Sequence, residues 1–347
     1  MEIKFINPWR SGFGATLKIK MEKPTTGRSS FDVALKHIRT FSLVIYCVIT
    51  VVGTVGNGLV IYVTGFKMKK TVNSVWFFNL ALADFLFTAF LIFSTVSLYQ
   101  ELHWPFGNFM CKLNNFVSLV NMFASVFFLT AINLDRCIST LVVVWAQNNR
   151  TVCKAQVISA VIWLAAGTCS TPYTYFRTTI LEGNSTFCKY SPTVTKELKW
   201  SLYTFRFVVG FLIPFLAMLF SYVAIGIRSR QLQMLRKQIS HRVIFIIVVA
   251  FFICWLPFHV LSFVELTFSE KIGQIGGPLT MSLAFMNSCL NPILYVFIRV
   301  DFQNKLQSLC FVVEHALTED HLPFTSSRFV PSQFPRVARR SESTANA

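Results

Sequence analysis

Three polar features sit inside one apolar stretch, Cys111 to Val144, at separations that a helix converts into three depths. Cys111 opens the stretch, Asn121 and Ser125 lie one helical turn apart in its middle, and Asp135-Arg136-Cys137 closes it. At about 1.5 Å per residue, Cys111 and Arg136 are roughly 37 Å apart, more than the about 30 Å of a bilayer's hydrocarbon layer. One helix of this kind offers a thiol on one side, hydrogen-bonding groups at mid-depth and a charged pair on the other side. Asn57, Asp84, Asn287, Ser288 and Asn291 fall at intramembrane positions of other apolar runs. An unpaired Asp84 in hydrocarbon is costly, so it must face the interior and be hydrated or ion-bound. Two chemistries suit this set: interhelical hydrogen bonds that hold helices together, or a small-cation site of hard oxygen ligands around one carboxylate. Nothing in the chain pairs a nucleophile with a base or clusters metal ligands, so an enzyme is not expected.

The elements that must position these groups are membrane-crossing helices. With 54% hydrophobic and 14% charged residues over 347 positions, the chain is too apolar for a soluble domain of this size. Seven apolar segments are expected to span, approximately Phe41–Val63, Val75–Leu98, Cys111–Val144, Ala155–Phe176, Trp200–Ile227, Val243–Phe268 and Pro278–Phe297. An odd number puts the termini on opposite sides. Lys67, Lys69 and Lys70, then Arg136, Arg150 and Lys154, then Arg228, Arg230, Arg236, Lys237 and Arg242 cluster in alternate links. Cytoplasmic links carry such excess, so the amino terminus is expected outside. Arg28, Lys36 and Arg39 oppose this by the same rule, and the loops outweigh them.

The net charge of +17 thus reads as topology signals and not as a nucleic-acid surface. Neither repeated halves nor broken-helix pairs suggest a transporter. The nine cysteines show no CxxC spacing. Only Cys111 and Cys188 fall where an oxidising exterior reaches both, so a disulfide between them is expected. Asn184-Ser185-Thr186 is a glycosylation acceptor in the link after the fourth segment, placed outside by the same orientation. Asn149-Arg150-Thr151 matches too, but on the cytoplasmic side, and is expected to stay unmodified.

Residues 1–40 are basic, Pro- and Gly-interspersed and without a sustained apolar run, as an unstructured extracellular tail would be. They lack the apolar core of a cleavable signal, so the first span is expected to serve as insertion signal. After the seventh segment, residues 299–310 have apolar residues at helical spacing, as an interfacial amphipathic helix would. Cys310 ends it where a thioester-linked acyl chain would anchor it. Residues 311–347 form a polar cytoplasmic tail rich in Ser and Thr beside Glu319, Asp320 and Glu342. The expected fold is an all-α membrane protein: a seven-transmembrane helix bundle over 41–298 with a short amphipathic eighth helix.

Gly56-Asn57, Leu80-Ala81-Leu82-Ala83-Asp84, Cys111, Asp135-Arg136-Cys137, Cys254-Trp255-Leu256-Pro257 and Asn291-Pro292-Ile293-Leu294-Tyr295 follow in order on five of the segments. Together they resemble rhodopsin-like (class A) G-protein-coupled receptors over Phe41 to Leu309. The resemblance implies that Asp84, Asn121, Ser125, Asn287 and Asn291 line an allosteric sodium pocket. It implies that Trp255 shifts under the ligand and that Tyr222 and Tyr295 move in around Arg136, which Asp135 restrains at rest. It further implies a heterotrimeric G protein and arrestin as partners, a plasma-membrane location, and no other cofactor. Pro257 and Pro292 each remove a backbone hydrogen bond inside a span and supply bends about which the inner halves swing.

Further stretches narrow the resemblance. Phe66-Lys67-Met68-Lys69-Lys70, His103-Trp104-Pro105-Phe106-Gly107, Asn121-Met122-Phe123-Ala124-Ser125 and Asn287-Ser288-Cys289-Leu290-Asn291 look like the chemoattractant branch, most similar to chemerin receptors and then to formyl-peptide receptors. Formyl-peptide receptors carry an acidic residue where this chain has Leu119 and an arginine where it has Leu202, which argues against formylated peptides. Arg206 remains, suited to a peptide carboxylate or acidic lipid head through a forked contact. Glu265 suits a basic group, and Trp104, Tyr175, Phe263 and Phe268 either wall a cleft or pack and anchor helices. The expected agonist is a peptide, protein or acidic lipid, transmitted to inhibitory-type G proteins. Cys137 replaces the commoner Tyr, as this branch often tolerates, while Val143 and Ile92 stand where Pro is usual, which leaves a scavenging or weakly coupled receptor, or one for formyl peptides or an acidic lipid mediator, as the alternatives.

Overall fold

The computed structural model describes residues 26–231, 235–268 and 270–298. Long helices make up the bundle: α1 (Thr26–Tyr62), α2 (Val72–Tyr99), α3 (Gly107–Leu141), a short α4 (Val143–Asn149), α5 (Val152–Tyr175), α6 (Lys196–Phe207), α7 (Ile213–Gln231), α8 (Leu235–Thr267) and α9 (Glu270–Ile298). One antiparallel hairpin, β1 (Arg177–Glu182) with β2 (Ser185–Tyr190), lies between α5 and α6. Six described stretches are long and apolar enough to cross a membrane: Asp32–Lys67, Val72–Tyr99, Gly107–Leu141, Val152–Tyr175, Lys196–Arg228 and Val248–Thr267. The 29-residue α9 packs against α8 and α1 and closes the bundle as its seventh member. The amphipathic helix expected over 299–310, with Cys310, lies outside the described residues, as does the tail beyond it.

Side chains distribute as a membrane solvent requires. Along α1, Val44, Val48, Val51, Val52 and Val55 point outward, each at least 50% exposed, while Asn57 is fully buried at 0%. The same inversion recurs in α5, where Leu164 is 72% exposed and Ser170 is buried. Lipid tails are as apolar as the core, so the outer face needs no cover, and the polar groups turn inward to find partners. An apolar core cluster forms where Tyr46 and Ile49 of α1 meet Phe87, Leu91 and Leu98 of α2, with Phe285 of α9 edge-on to Phe87 at 4.9 Å. Gly53 lets these helices close up. A Cβ there would sit 2.5 Å from Thr88 Cγ2 and 3.2 Å from Cys289 Sγ.

Threonine hydroxyls start three of the helices. Thr71 and Ser74 form a reciprocal capping box at α2, Thr151 accepts from the Lys154 amide at α5, and Thr195 accepts from the Leu198 amide at α6. α6 and α7 form one span, joined by a π-helical turn, Val208–Leu212, in which the Ile213 amide reaches the Val208 carbonyl. Pro214 follows and has no amide hydrogen to donate, so the wider turn absorbs the break in the ladder.

Two boundaries differ from those expected. α1 begins at Thr26, not Phe41, so residues 26–40 extend the first helix instead of forming an unstructured tail. Apolarity marks where hydrocarbon begins. Good helix formers such as Ala34, Leu35 and Lys36, set among polar residues, then extend the helix at only the cost of propagation. α3 ends at Leu141, before Val144, because Val142 leaves the helical region with φ −124° and ψ 66°, and Val143 starts α4 without a proline.

Candidate functional site

Building from the middle of the bundle, α2 supplies Asp84, α3 supplies Asn121 and Ser125, and α9 supplies Ser288 and Asn291, all at most 5% exposed. Asn291 Nδ2 donates to Asp84 Oδ2 at 2.6 Å, and the Ser125 hydroxyl lies 3.1 Å from Asp84 Oδ1 and 2.9 Å from Asn121 Oδ1. Asn121 Nδ2 donates to Ser288 Oγ at 3.1 Å, and Asn57 Nδ2 on α1 donates to the Ser288 carbonyl at 3.0 Å. Three helices, α2, α3 and α9, thus meet on one carboxylate, and α1 joins them through the Ser288 carbonyl. Helical spacing puts Asn121 and Ser125 on one face, one turn apart, and Pro292 follows the asparagine that reaches the carboxylate. Asn287 is buried one turn earlier on α9. Hydrogen-bond donors offset the cost of burying the charge. The carboxylate, a hydroxyl and an amide oxygen together form a donor set that suits a small hard cation.

At the end of the bundle where α3 begins, the hairpin packs against α3. Cys111 at the start of α3 and Cys188 in β2 form the expected disulfide, with Cα atoms 5.7 Å apart. Gly183 has φ +63° and pairs with Asn184 in the two-residue turn, which leaves the acceptor Asn184 exposed at the tip. The preceding link docks on the same hairpin. The Trp104 amide donates to the Thr186 carbonyl at 2.7 Å, and the Thr186 amide donates to His103 Nδ1 at 3.1 Å. Trp104 is 4% exposed with its ring edge-on to Phe106, so it packs the outer loop. Arg177 lies over the Tyr190 ring and donates to Asn115 of α3 at 3.1 Å.

Below the hairpin, Arg206 of α6 is 6% exposed. Its guanidinium donates to Ser262 Oγ of α8 at 2.7 Å and lies between the rings of Tyr203, 4.8 Å away, and Phe258, 4.5 Å away. Among the described residues its Nε has no hydrogen-bond partner, nor does either ring nitrogen of His259, which is 1% exposed. His259 stands among Phe207, Phe211, Trp255 and Phe258. A buried donor without a partner costs about 1–3 kcal/mol, and here a cation and an imidazole bear that cost side by side among aromatic rings. Trp255 is 7% exposed, next to Phe258 and His259. Glu265 is exposed at the outer end of α8, its carboxyl group so near Gly273 of α9 that a Cβ there would meet it at 2.6 Å. Leu202 is buried one turn before Arg206, and its carbonyl accepts from Tyr173 at 2.6 Å.

At the other end of α3, both oxygens of Asp135 accept from Arg150, Oδ1 from Nε and Oδ2 from Nη2, each at 2.7 Å. The same Nη2 donates to Asn73 Oδ1 of α2. Arg150 terminates α4, so α2, α3 and α4 are tied through one guanidinium. This partner of Asp135 was not expected from the sequence. Arg136 follows on α3, partly buried, and Tyr222 of α7 faces Phe245 of α8 with ring centroids 5.3 Å apart. Tyr295 falls on α9 in the part whose side chains lie outside those described.

Asn73, Arg150, Tyr173, His259 and Ser262 are therefore site residues that sequence reading missed. Only the hairpin around Gly183-Asn184 had a local signal, two short β-branched runs around a turn pair. Comparison with known proteins agrees with this geometry. Residues 56–295 match the family described as 7 transmembrane receptor (rhodopsin family). The chain is 40% identical over 313 residues to chemerin-like receptor 1 of Sus scrofa, covering 84% of this chain and 86% of that protein. It is 41% identical over 286 residues to chemerin-like receptor 2 of Homo sapiens, covering 80% and 81%. It is 40% identical over 293 residues to the C3a anaphylatoxin chemotactic receptor of Danio rerio, covering 83% and 80%.

Proposed function

The chain belongs to the rhodopsin family of seven-transmembrane receptors, a multi-pass membrane protein related to chemoattractant receptors, and we propose that within it Arg206 receives the acidic end of a chemerin-like peptide or protein. Its amino terminus faces outward from the plasma membrane, and it couples to inhibitory-type G proteins and arrestin. The observation that carries the ligand class is a buried guanidinium whose described side-chain partner is a neutral serine, Ser262. A carboxylate brings the missing counter-charge and accepts from Nε and an Nη together, a forked geometry lysine cannot offer. Leu202 stands where a second arginine would be needed for formylated peptides, and its buried side chain offers only apolar contact.

An agonist moves the bundle only by its differential affinity for the active arrangement. Drawing Arg206 away from Ser262 releases α8 above Pro257, about which its inner half swings. The Asp84 cluster would hold sodium through Asp84, Ser125 and Asn121, with Asn287 and Asn291 lining the pocket, and the ion would favour the resting state. Cells displaying an amino-terminal epitope on the intact surface provide the test, with G-protein activation and arrestin recruitment read in parallel. Chemerin and its carboxyl-terminal peptide are expected to drive both, and Arg206→Ala to abolish the response while surface display persists. Unchanged potency in that variant overturns the assignment of Arg206. Arrestin recruitment alone would identify a scavenging receptor.

A further inference from the structure

Tyr173 is 0% exposed, although its phenol is polar and it lies in the last turn of a span. The hydroxyl finds its partner outside its own helix, donating to the Leu202 carbonyl of α6 at 2.6 Å. In an α-helix the carbonyl of residue 202 is the acceptor for the amide of residue 206. Tyr173 therefore sits in the ladder of α6 at the turn that bears Arg206, immediately before the π-helical turn Val208–Leu212. Pro172 directly precedes it and removes an amide from the end of α5, which leaves that turn free to lean toward α6. On its other side the Tyr173 ring faces Phe123 of α3, centroids 6.4 Å apart, and Phe123 in turn abuts Gly210 of the π turn, where a Cβ would meet it at 3.1 Å.

We propose that Tyr173 is a positioning residue for ligand recognition: its hydroxyl fixes the rotation of α6 so that Arg206 faces Ser262 and the cleft. The inference rests on the reading of Arg206 as the receiver of an acidic group. A π turn adds a residue to one helical turn and so makes the rotation of the preceding helix an open choice, which neighbours must settle. Tyr173 holds the backbone from the α5 side, and Ser262 holds the guanidinium from the α8 side. A helix turned by even part of a residue step, about 100° in full, would carry Arg206 out from between Tyr203 and Phe258.

The test needs no agonist. Receptor labelled with ¹⁵N at arginine side chains is purified, and the Arg206 Nε signal is assigned by its loss in Arg206→Lys. Tyr173→Phe keeps the ring and removes only the hydroxyl. The Arg206 signal is expected to move toward that of exposed arginines or broaden beyond detection, while the same change at exposed Tyr175 leaves it in place. An unmoved Arg206 signal in Tyr173→Phe overturns the proposal. Should that variant fail to reach the membrane, 3-fluorotyrosine placed at 173 keeps the hydroxyl and alters its hydrogen bond. A shifted Arg206 signal then supports the proposal, and an unshifted one overturns it. In cells, Tyr173→Phe is expected to lower the potency of a carboxylate-ended peptide about tenfold and leave its amidated form unchanged; equal losses for both forms also overturn it. If Arg206→Lys leaves the carboxylate response intact while the spectra behave as expected, the ligand reading fails and the positioning role stands.

Discussion

The inner clamp gives a coupling that can be worked out before it is measured. Arg150 meets Asp135 through two contacts of 2.7 Å, with the side chains 28% and 14% exposed, and also donates to Asn73. A hydrogen bond to a charged group contributes about 1.5–3 kcal/mol when shielded, and exposed pairs fall below about 1 kcal/mol. Partial exposure puts this two-pronged contact at about 1–2 kcal/mol, a factor of roughly 5–30 in an equilibrium. Because the clamp fixes the residue before Arg136, Arg150→Ala is expected to raise agonist-independent nucleotide exchange several-fold. Asp135→Asn should do the same, and the double variant should add little to either. Arg150→Lys keeps the charge but cannot span two oxygens and Asn73, so it should restore less than half of the restraint. The assay is basal exchange on a purified G protein at matched receptor density, arranged as a double-mutant cycle. Additivity within about 0.5 kcal/mol would refute the clamp, since uncoupled residues add.

Two further outcomes are expected. Asp84→Asn removes the carboxylate on which Ser125 and Asn291 converge; agonist affinity should lose its dependence on sodium in a titration against an impermeant organic cation, and retained dependence places any ion elsewhere. Gly53→Ala sets a methyl 2.5 Å from Thr88 Cγ2 and is expected to cost about 1–3 kcal/mol of bundle stability, read as melting temperature in detergent. Thr88→Ser in the same chain removes that methyl and should recover most of the loss.

How far the fold and site were readable follows from the kind of constraint each residue obeys. Asp84 was legible because hydrocarbon forbids a bare carboxylate, and helix spacing already put Asn121 and Ser125 on one face. Cys111 and Cys188 were legible because the basic links assign these two cysteines alone to the side expected to be oxidising, and they form the disulfide. Arg150 was not. It was one of several basic residues in a cytoplasmic link, and which of them turns back to Asp135 depends on the break at Val142 and the short α4 that follows. Tyr173 was hidden for a similar reason, since nothing local distinguishes a tyrosine anchoring a lipid interface from one reaching another helix. The start of α1 was misplaced because residues 26–40 are helical without being apolar.

The polar groups at three depths are joined by the helices that carry them. α3 runs through all of them, from the disulfide at Cys111 through Ser125 to Asp135. It is held at the outer end by a covalent bond and at the inner end by Arg150, so it is the part least able to move when a ligand binds. α8 is held differently. Its C-terminal half meets α6 through the hydrogen bond from Arg206 to Ser262 and through the rings of Trp200 and Phe207 against Phe263 and His259, and Pro257 interrupts its ladder one turn below. Beside it, α9 bears Asn291 on the Asp84 carboxylate with Pro292 next in line. A carboxylate received at Arg206, as proposed, acts on a helix interrupted by Pro257 against one held at both ends. The lever has a hinge already built into it, and its sense of motion is set by which contacts the charge displaces.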